Sequence, residues 1–170
     1  MREAMLIEPG QFAEENGVVV VDCRFNLADA DEGRRLYLQA HVPGAHYLHL
    51  NEDLSAPVGR HGGRHPLPDA VTLASRLARC GIGRETNVVA YDDSRFAFAS
   101  RLWWLMRSLG YRPPRLLNGG FQAWLTSGGN TESGEVAAVV GVTGTGAAYS
   151  ACCDIDGLRA AQRNGATLVD

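Results

Sequence analysis

Short apolar runs alternate with amphipathic stretches along most of the chain. The run VVVVD at residues 18–22 is β-branched at each of its apolar positions and predicts a strand that is buried on both faces. NVVAY at residues 87–91 and RLL at residues 115–117 predict two further strands. Residues 41–50 begin with a Pro-Gly turn and continue as another predicted strand. These runs together indicate a sheet.

Apolar residues at helical spacing fill the intervals between the predicted strands. IEPGQFAEENG at residues 7–17 predicts a short helix with Pro9 in its first turn and Gly17 as its stop. A second helix, ending at Gly81, has its apolar face at Val71, Leu73, Ala74, Leu77 and Ala78. A third predicted helix has apolar residues at helical spacing, Phe98, Leu102, Leu105, Met106 and Leu109. A fourth follows the glycine turn at 118–120. This alternation predicts an α/β fold, a mostly parallel sheet with helices on both faces.

The composition changes after Trp124, where Gly, Ser and Thr become frequent and indicate a linker with one weak edge strand at 136–142. The tail then repeats the start of the chain. When Asp170 is aligned with Asp22, six of sixteen positions are identical, at Ile155, Ala161, Asn164, Gly165, Val169 and Asp170. We therefore predict a domain at 1–127, a linker at 128–150, and at 151–170 the first helix and strand of an incomplete second copy.

Composition and charge narrow the functional classes. The 170 residues suffice for one domain and a remainder, and the 45% hydrophobic and 21% charged fractions are typical of a soluble globular protein. No apolar run approaches the roughly 20 residues that cross a bilayer, so no membrane association is expected. The formal net charge is −3 with scattered arginines, which argues against nucleic-acid binding. The N-terminus lacks the features of a signal peptide, and we expect a reducing, cytoplasmic location.

The loop YDDSRF at residues 91–96 follows a predicted strand and precedes a helix, a common place for a nucleophile in α/β enzymes. It offers Asp92, Asp93 and a serine. Carboxylates at such a place are also ordinary helix caps, and we favour that interpretation. The four cysteines fit no zinc spacing. We interpret two as structural residues (Cys23, Cys80) and two as incidental linker thiols (Cys152, Cys153).

Six segments in this order resemble the rhodanese family of sulfurtransferases: VVVVDCR, HVPGAHYLHL, GRHPLPD, VVAYDDS, RLWWLMRSLGY and LLNGGFQAW. The resemblance is to the N-terminal half of a two-domain thiosulfate or 3-mercaptopyruvate sulfurtransferase. It implies a rhodanese-like fold, no metal and no organic cofactor. It also implies that sulfane sulfur is moved from thiosulfate or 3-mercaptopyruvate to cyanide or a thiol.

One position departs from the pattern of catalytic members, which carry a cysteine directly after the strand. Here that position is Asp92. A thiolate held by backbone N–H groups can take up and release a sulfane sulfur, whereas a carboxylate cannot form a persulfide. The resemblance therefore implies an inactive loop and no catalytic residue in this chain, with the cysteine in a second rhodanese domain, in cis or on a cleaved or separate chain.

The resemblance also suggests roles for residues around this loop. His65 and Phe98 match positions that face the substrate pocket between domains, although a turn histidine and plain core packing explain them equally well. Asp22, Arg24 and Arg101 are expected to form structural ion pairs at the loop end. Trp103 and Trp104 cannot both face the core, so one of them is expected at the domain interface.

Two other classes of function remain open. The chain could be a stand-alone, inactive rhodanese-like module that binds or regulates a partner. It could also be a hydrolase that uses Asp92 as nucleophile, although such an enzyme needs a metal site and a second acid, and beyond Asp93 no candidate set is visible. The leading hypothesis is the non-catalytic domain of a sulfurtransferase, whose partners are a second rhodanese domain and a small sulfur donor.

Overall fold

The computed structural model describes residues 5–139, 148–150 and 152–169. Its centre is a five-stranded, fully parallel sheet with the order β1-β5-β4-β2-β3. The strands are β1 (Leu6–Ile7), β2 (Val19–Asp22), β3 (His46–Tyr47), β4 (Val88–Tyr91) and β5 (Arg115–Leu117). The two valine-rich strands, β2 and β4, pair along their full length in the middle of the sheet. Parallel strands that are covered on both faces read as continuous apolar runs, which explains this composition.

The helices are α1 (Pro9–Ala13), α2 (Glu32–Gln39), α3 (Ala70–Arg79), α4 (Ala99–Ser108), α5 (Gly120–Thr126) and α6 (Ile155–Arg163). The buried side chains of α3 and α4 pack on one face of the sheet and form the larger core. Those of α1 and α5 pack on the opposite face. This arrangement confirms the predicted α/β fold with helices on both faces. No helix in the described part of the chain is long and apolar enough to cross a membrane.

Helix α3 shows how the sequence pattern specifies an element. The Asp69 side chain caps the helix by accepting a hydrogen bond from the Thr72 N–H at 2.8 Å. Gly81, with φ of +78°, follows its C-terminus. The predicted apolar face is buried except for Val71, which is 62% exposed. At about 100° of rotation per residue, Val71 lies at the edge of that face and in the first turn.

The sequence pattern missed two elements and overextended others. Neither β1 nor α2 was predicted, and β3 has two residues within the longer predicted strand. Residues 136–139 form no strand, and the rest of the edge strand predicted at 136–142 lies outside the described residues. The tail forms its predicted helix as α6, but residues 166–169 form no strand, and Asp170 lies outside the described residues. Leu168 and Val169 are exposed.

Candidate functional site

The loop between β4 and α4, here called the Asp92 loop, wraps its backbone around a single carboxylate. Asp92 is 1% exposed. Its Oδ1 atom accepts hydrogen bonds from the N–H groups of Ser94 at 2.8 Å and Phe96 at 3.0 Å. Its Oδ2 atom accepts from the N–H groups of Phe98 and Ala99, both at 2.9 Å. Both carboxylate oxygens are therefore occupied by backbone donors, and the side chain fills the cradle that these donors form.

The Asp92 loop holds this shape with an unusual backbone. Arg95 and Phe96 have φ values of +55° and +69°, in the left-handed region that non-glycine residues rarely adopt. Successive N–H groups in such turns point toward one centre and form an anion-binding concavity. Left-handed residues cost free energy, and the four charge-assisted hydrogen bonds to Asp92 offset that cost. The loop is thus shaped around a negative charge.

A second turn closes over the loop from the neighbouring strand β5. Gly120 has φ of +63°, and a Cβ atom at this position would lie 1.8 Å from the Asp92 carbonyl oxygen. Only glycine permits this approach, which explains the NGG turn in the sequence. Asp93 lies in the same region, and its Oδ2 atom is 4.0 Å from Nη1 of Arg24. Burial raises the pKa of Asp93, and the charge of Arg24 opposes that rise.

The predicted ion pair at the end of β2 is present and buried. Nη2 of Arg24 lies 2.6 Å from Oδ2 of Asp22, and its Nε donates to the same oxygen at 2.9 Å. The Tyr91 hydroxyl also donates to this oxygen, at 2.8 Å. Burial raises the pKa of Asp22, and the hydrogen bonds from Arg24 oppose that rise. The guanidinium also lies 4.2 Å from the ring centre of Phe121. This network joins β2, β4 and α5 beneath the Asp92 loop.

Arg101 does not make the ion pair expected of it. Its Nε donates to the Leu54 carbonyl at 2.8 Å, and its Nη2 donates to the carbonyls of His65 and Pro66, both at 3.1 Å. No carboxylate among the described residues pairs with it. The physical reason is that the chain from 54 to 66 passes alongside α4 without regular structure, so its carbonyls need donors, and Arg101 supplies them.

His65 and Phe98 come together beside this arginine. They line one pocket of about 260 Å³, here called the Arg101 pocket. Its other principal lining residues are Leu27, Leu50, Arg64 and Arg101. The ring of Phe98 packs edge-on against Phe25 at 5.4 Å, so Phe98 serves both the core and the pocket wall. The pKa of His65 is lowered by burial and then by the charges of Arg101 and Arg64. No sequence feature indicated that Leu27 would line this pocket. For Arg64 the one available sign was its position next to His65.

The described thiols fall into two groups. Cys23 and Cys80 are buried, and Cys152 and Cys153 are exposed. Burial raises the pKa of Cys80 to about 12 and that of Cys23 well above its usual value, so neither forms a reactive thiolate at neutral pH. Among the described residues, no three His, Cys, Asp or Glu side chains are grouped to hold a metal ion.

The two tryptophans of α4 have different surroundings. The Trp104 ring stacks on Tyr149 with ring centres 6.2 Å apart, and Trp103 stacks with the Arg107 guanidinium at 5.1 Å. Ser150, next to Tyr149, donates from its N–H to the Ser108 carbonyl at 2.8 Å. The end of the predicted linker therefore packs on α4 and covers Trp104.

A known protein family matches most of this chain, including the elements that form the site. The family described as "Rhodanese-like domain" matches residues 10–127. The chain belongs to the rhodanese-like family. The matched region includes β2 to β5, the Asp92 loop and the glycine turn that closes over it. The family resemblance of the sequence motifs is thereby confirmed.

Named relatives are sulfurtransferases. A Pseudomonas aeruginosa protein named "Probable 3-mercaptopyruvate sulfurtransferase" is 46% identical over 141 residues, which cover 79% of this chain and 49% of the relative. The bovine "Thiosulfate sulfurtransferase" is 35% identical over 116 residues, covering 66% of this chain and 37% of the relative. The solved 3-mercaptopyruvate sulfurtransferase of Leishmania major has a TM-score of 0.72 and 31% identity, covering 87% of this chain and 41% of that one. The chain thus spans about half the length, or less, of these relatives.

Proposed function

We propose that this rhodanese-like domain is the non-catalytic half of a two-domain sulfurtransferase. The observation that carries the proposal is the Asp92 carboxylate, which occupies the N–H cradle of the loop with four hydrogen bonds. In a sulfur carrier, such a cradle would stabilise a thiolate and then a persulfide. Here the donors are already used by an internal anion.

The chemistry of a carboxylate argues against sulfur transfer at this position. Sulfur transfer needs a soft nucleophile that attacks a sulfane sulfur and later releases it, and a carboxylate does neither. The negative charge of Asp92 would also repel anionic donors such as thiosulfate. The buried thiols offer no substitute, because burial raises the pKa values of Cys23 and Cys80.

The same geometry argues against a hydrolase that uses Asp92 as nucleophile. An attacking carboxylate oxygen must reach the substrate, but Asp92 is 1% exposed and each of its oxygens accepts two backbone hydrogen bonds. Freeing Oδ2 would leave the buried N–H groups of Phe98 and Ala99 without partners, at a cost of about 1–3 kcal/mol each. The carboxylate is therefore better suited to hold the loop than to react.

In the proposed enzyme, a second rhodanese domain carries the nucleophilic cysteine and receives sulfur from thiosulfate or 3-mercaptopyruvate. The acceptor is cyanide or a thiol, and the setting is cytoplasmic. The second domain belongs to the same chain or to a cleaved or separate one. Support comes from the greater length of the sulfurtransferase relatives and from the sequence similarity of residues 155–170 to residues 7–22. In the proposed enzyme, residues 128–150 form the linker between the domains.

The test compares this 170-residue chain with the intact protein encoded at the same locus. Thiocyanate formation from thiosulfate and cyanide, and pyruvate formation from 3-mercaptopyruvate, measure the two activities. Mass spectrometry after donor treatment detects a persulfide as a gain of about 32 Da. We expect no turnover and no such gain in the 170-residue chain, and both in the intact protein.

Two results would contradict the proposal in different ways. Turnover by the 170-residue chain, with the added sulfur on one of its four cysteines, would mean that the active site lies in this domain. Absence of turnover in an intact protein that contains a cysteine-headed second loop would favour a binding or regulatory module instead.

A further inference from the structure

The chain that follows α5 is held against the rest of the domain by backbone hydrogen bonds. His41 and Glu132 form an antiparallel bridge in which each N–H donates to the carbonyl of the other, both at 2.9 Å. The Gly134 N–H donates to the Leu38 carbonyl, also at 2.9 Å. Residues 132–134, here called the clasp, are therefore attached to the last turn of α2 and to the turn that precedes β3.

The side chain of His41 lies under the clasp and lacks one hydrogen bond. It is 0% exposed. Its Nδ1 atom lies 2.7 Å from the Tyr37 carbonyl oxygen. A carbonyl oxygen can only accept, so Nδ1 carries the proton of the neutral ring and Nε2 carries a lone pair. Nε2 has no hydrogen-bond partner among the described residues, so the neutral ring leaves a buried acceptor unsatisfied.

The carboxylate of Glu132 faces this unsatisfied atom. Its Oε2 lies 3.9 Å from Nε2 of His41 and accepts a hydrogen bond from the Gly44 N–H at 2.7 Å. In the neutral ring a lone pair therefore faces a negative charge, which is unfavourable. A proton on Nε2 replaces the lone pair with a donor and gives the ring a positive charge, so repulsion becomes attraction. The Glu132 side chain is 49% exposed, which leaves it room to close the distance.

Two further groups favour a positive charge at this place. The Tyr37 ring stacks on the imidazole with ring centres 4.1 Å apart, and an aromatic face attracts a cation. Burial raises the pKa of Tyr37, and the charges of Glu135 and Glu132 add to that rise, so a second carboxylate acts on the same side. Burying a charge costs free energy, and these contacts oppose that cost.

Strands β2 and β4 also bring charged and titratable groups to this region, and those groups balance one another. Arg24 donates to the Ala40 carbonyl at 2.7 Å, but its guanidinium is paired with Asp22 at 2.6 Å. The Tyr91 hydroxyl accepts from the Val42 N–H at 3.2 Å and stays neutral, because burial raises its pKa. The carboxylate on the clasp is thus the unbalanced charge that faces the imidazole.

We propose that His41 and Glu132 form a proton-operated latch, which tightens the clasp when the imidazole is protonated. The proton, taken from solvent, adds one hydrogen bond and one charge attraction between the clasp and the turn before β3. The latch itself does not depend on the proposed function. Its consequence for an enzyme does rest on that function: residues 128–150 would link the two domains, and the latch would restrict the start of this linker at mildly acidic pH.

The test follows the His41 ring and the clasp amides of the 170-residue chain by nuclear magnetic resonance between pH 8 and pH 5.5. Long-range ¹H–¹⁵N spectra report which ring nitrogens carry protons. We expect a proton on Nδ1 alone at pH 8 and on both nitrogens at pH 5.5. Hydrogen exchange of the Glu132 and Gly134 amides is expressed as protection factors, which removes the intrinsic effect of pH. These factors should rise at least ~3-fold over the same range, as expected for a partly exposed ion pair.

Matched variants identify the carboxylate that responds. Glu132→Gln keeps an acceptor for the Gly44 N–H but removes the charge. In this variant the protection factors should stay constant with pH, and the midpoint of His41 protonation should move to lower pH. Glu135→Gln removes a neighbouring carboxylate that lies outside the clasp, and it should retain most of the pH response.

Protonation of both ring nitrogens, together with a clasp response that is lost in Glu132→Gln, supports the latch. Either of two results overturns it: a His41 ring that stays neutral down to pH 5.5, or the same clasp response in Glu132→Gln as in the unaltered chain. Neither result bears on the sulfur-transfer comparison, because that comparison measures turnover and persulfide formation. Conversely, an inactive intact protein would not affect the protonation of His41 in this chain.

Discussion

Replacing Asp92 by asparagine tests whether the Asp92 loop depends on a negative charge. The substitution Asp92→Asn keeps the size and shape of the side chain but turns one acceptor oxygen into an NH₂ donor. Whichever way the amide is oriented, the NH₂ group faces two of the four backbone N–H groups that now point at a carboxylate oxygen. Two hydrogen bonds are lost in either orientation: those of the buried Phe98 and Ala99 N–H groups, or those of the exposed Ser94 and half-buried Phe96.

The expected cost follows from these contacts. A hydrogen bond to a charged group contributes about 1.5–3 kcal/mol, so the loss of two of them costs about 3–6 kcal/mol. The asparagine should turn its NH₂ group toward Ser94 and Phe96, which are less buried than Phe98 and Ala99, so the cost should lie near the lower end of this range. Domains of this size typically unfold with about 5–15 kcal/mol. Asp92→Asn should therefore remove a large part of the stability of the domain.

Urea denaturation followed by tryptophan fluorescence measures the free energy of unfolding of both proteins. If the free energy of unfolding depends on urea concentration with the same slope in both proteins and only the midpoint is lower, the substitution has changed stability alone. Asp69→Asn is the matched control, because Asp69 accepts one N–H bond at the exposed start of α3 and asparagine caps helices equally well. A loss below about 1 kcal/mol for Asp92→Asn would refute the reasoning, since four charge-assisted bonds could not then be holding the loop.

Three further predictions concern other parts of the molecule. Gly120→Ala should destabilise the domain by about 2–4 kcal/mol in thermal unfolding, because its Cβ meets the Asp92 loop, whereas Gly134→Ala, with open space around it, should cost about 1 kcal/mol. Burial lowers the pKa of His46, so the unfolded chain binds more protons than the folded chain at mildly acidic pH. The free energy of unfolding should therefore fall as the pH drops below about 6.5, and it should fall less steeply in His46→Gln. If the free energy of unfolding fell equally steeply with pH in both proteins, this prediction would be wrong. Iodoacetamide should label Cys152 and Cys153 in the native protein and all four thiols after unfolding, as counted by mass; a third native adduct would contradict the burial.

Elements with strong apolar periodicity could be predicted from the sequence, and elements stabilised by a few contacts could not. Helices α3 and α4 bury the leucines that the pattern placed on one face. Helix α2, with the sequence EGRRLYLQ, buries only Gly33 and Tyr37 and has no such pattern. Gly33 is needed because a Cβ there would lie 2.0 Å from the Arg24 carbonyl oxygen, a tertiary contact that no local rule predicts. The two-residue strand β1 is likewise too short for any period.

Some features of the candidate site could likewise be predicted from the sequence, and others could not. The place of Asp92 at the head of a strand-to-helix loop could be predicted from the chain order. Its carboxylate accepts from the first N–H groups of α4, but the N-cap residue of that helix is Phe98. The four donors could not be predicted, because they depend on the left-handed conformations of Arg95 and Phe96. The bond pattern of Arg101 was also not predictable, since its carbonyl partners lie 35 to 47 residues away in the chain. The Arg101 pocket, which brings Leu27 next to His65, arises only from the folded chain.

An aspartate in place of a thiol has a consequence for chemical durability. A cysteine at the head of such a loop would be open to oxidation, first to sulfenic acid and then to irreversible higher acids. A carboxylate has no comparable oxidation chemistry, so the centre of the Asp92 loop keeps its charge and its four donors in the presence of peroxide. The remaining thiols of the β-sheet body, Cys23 and Cys80, are shielded inside the core. The Asp92 loop therefore contains no thiol whose oxidation could change the charge at its centre.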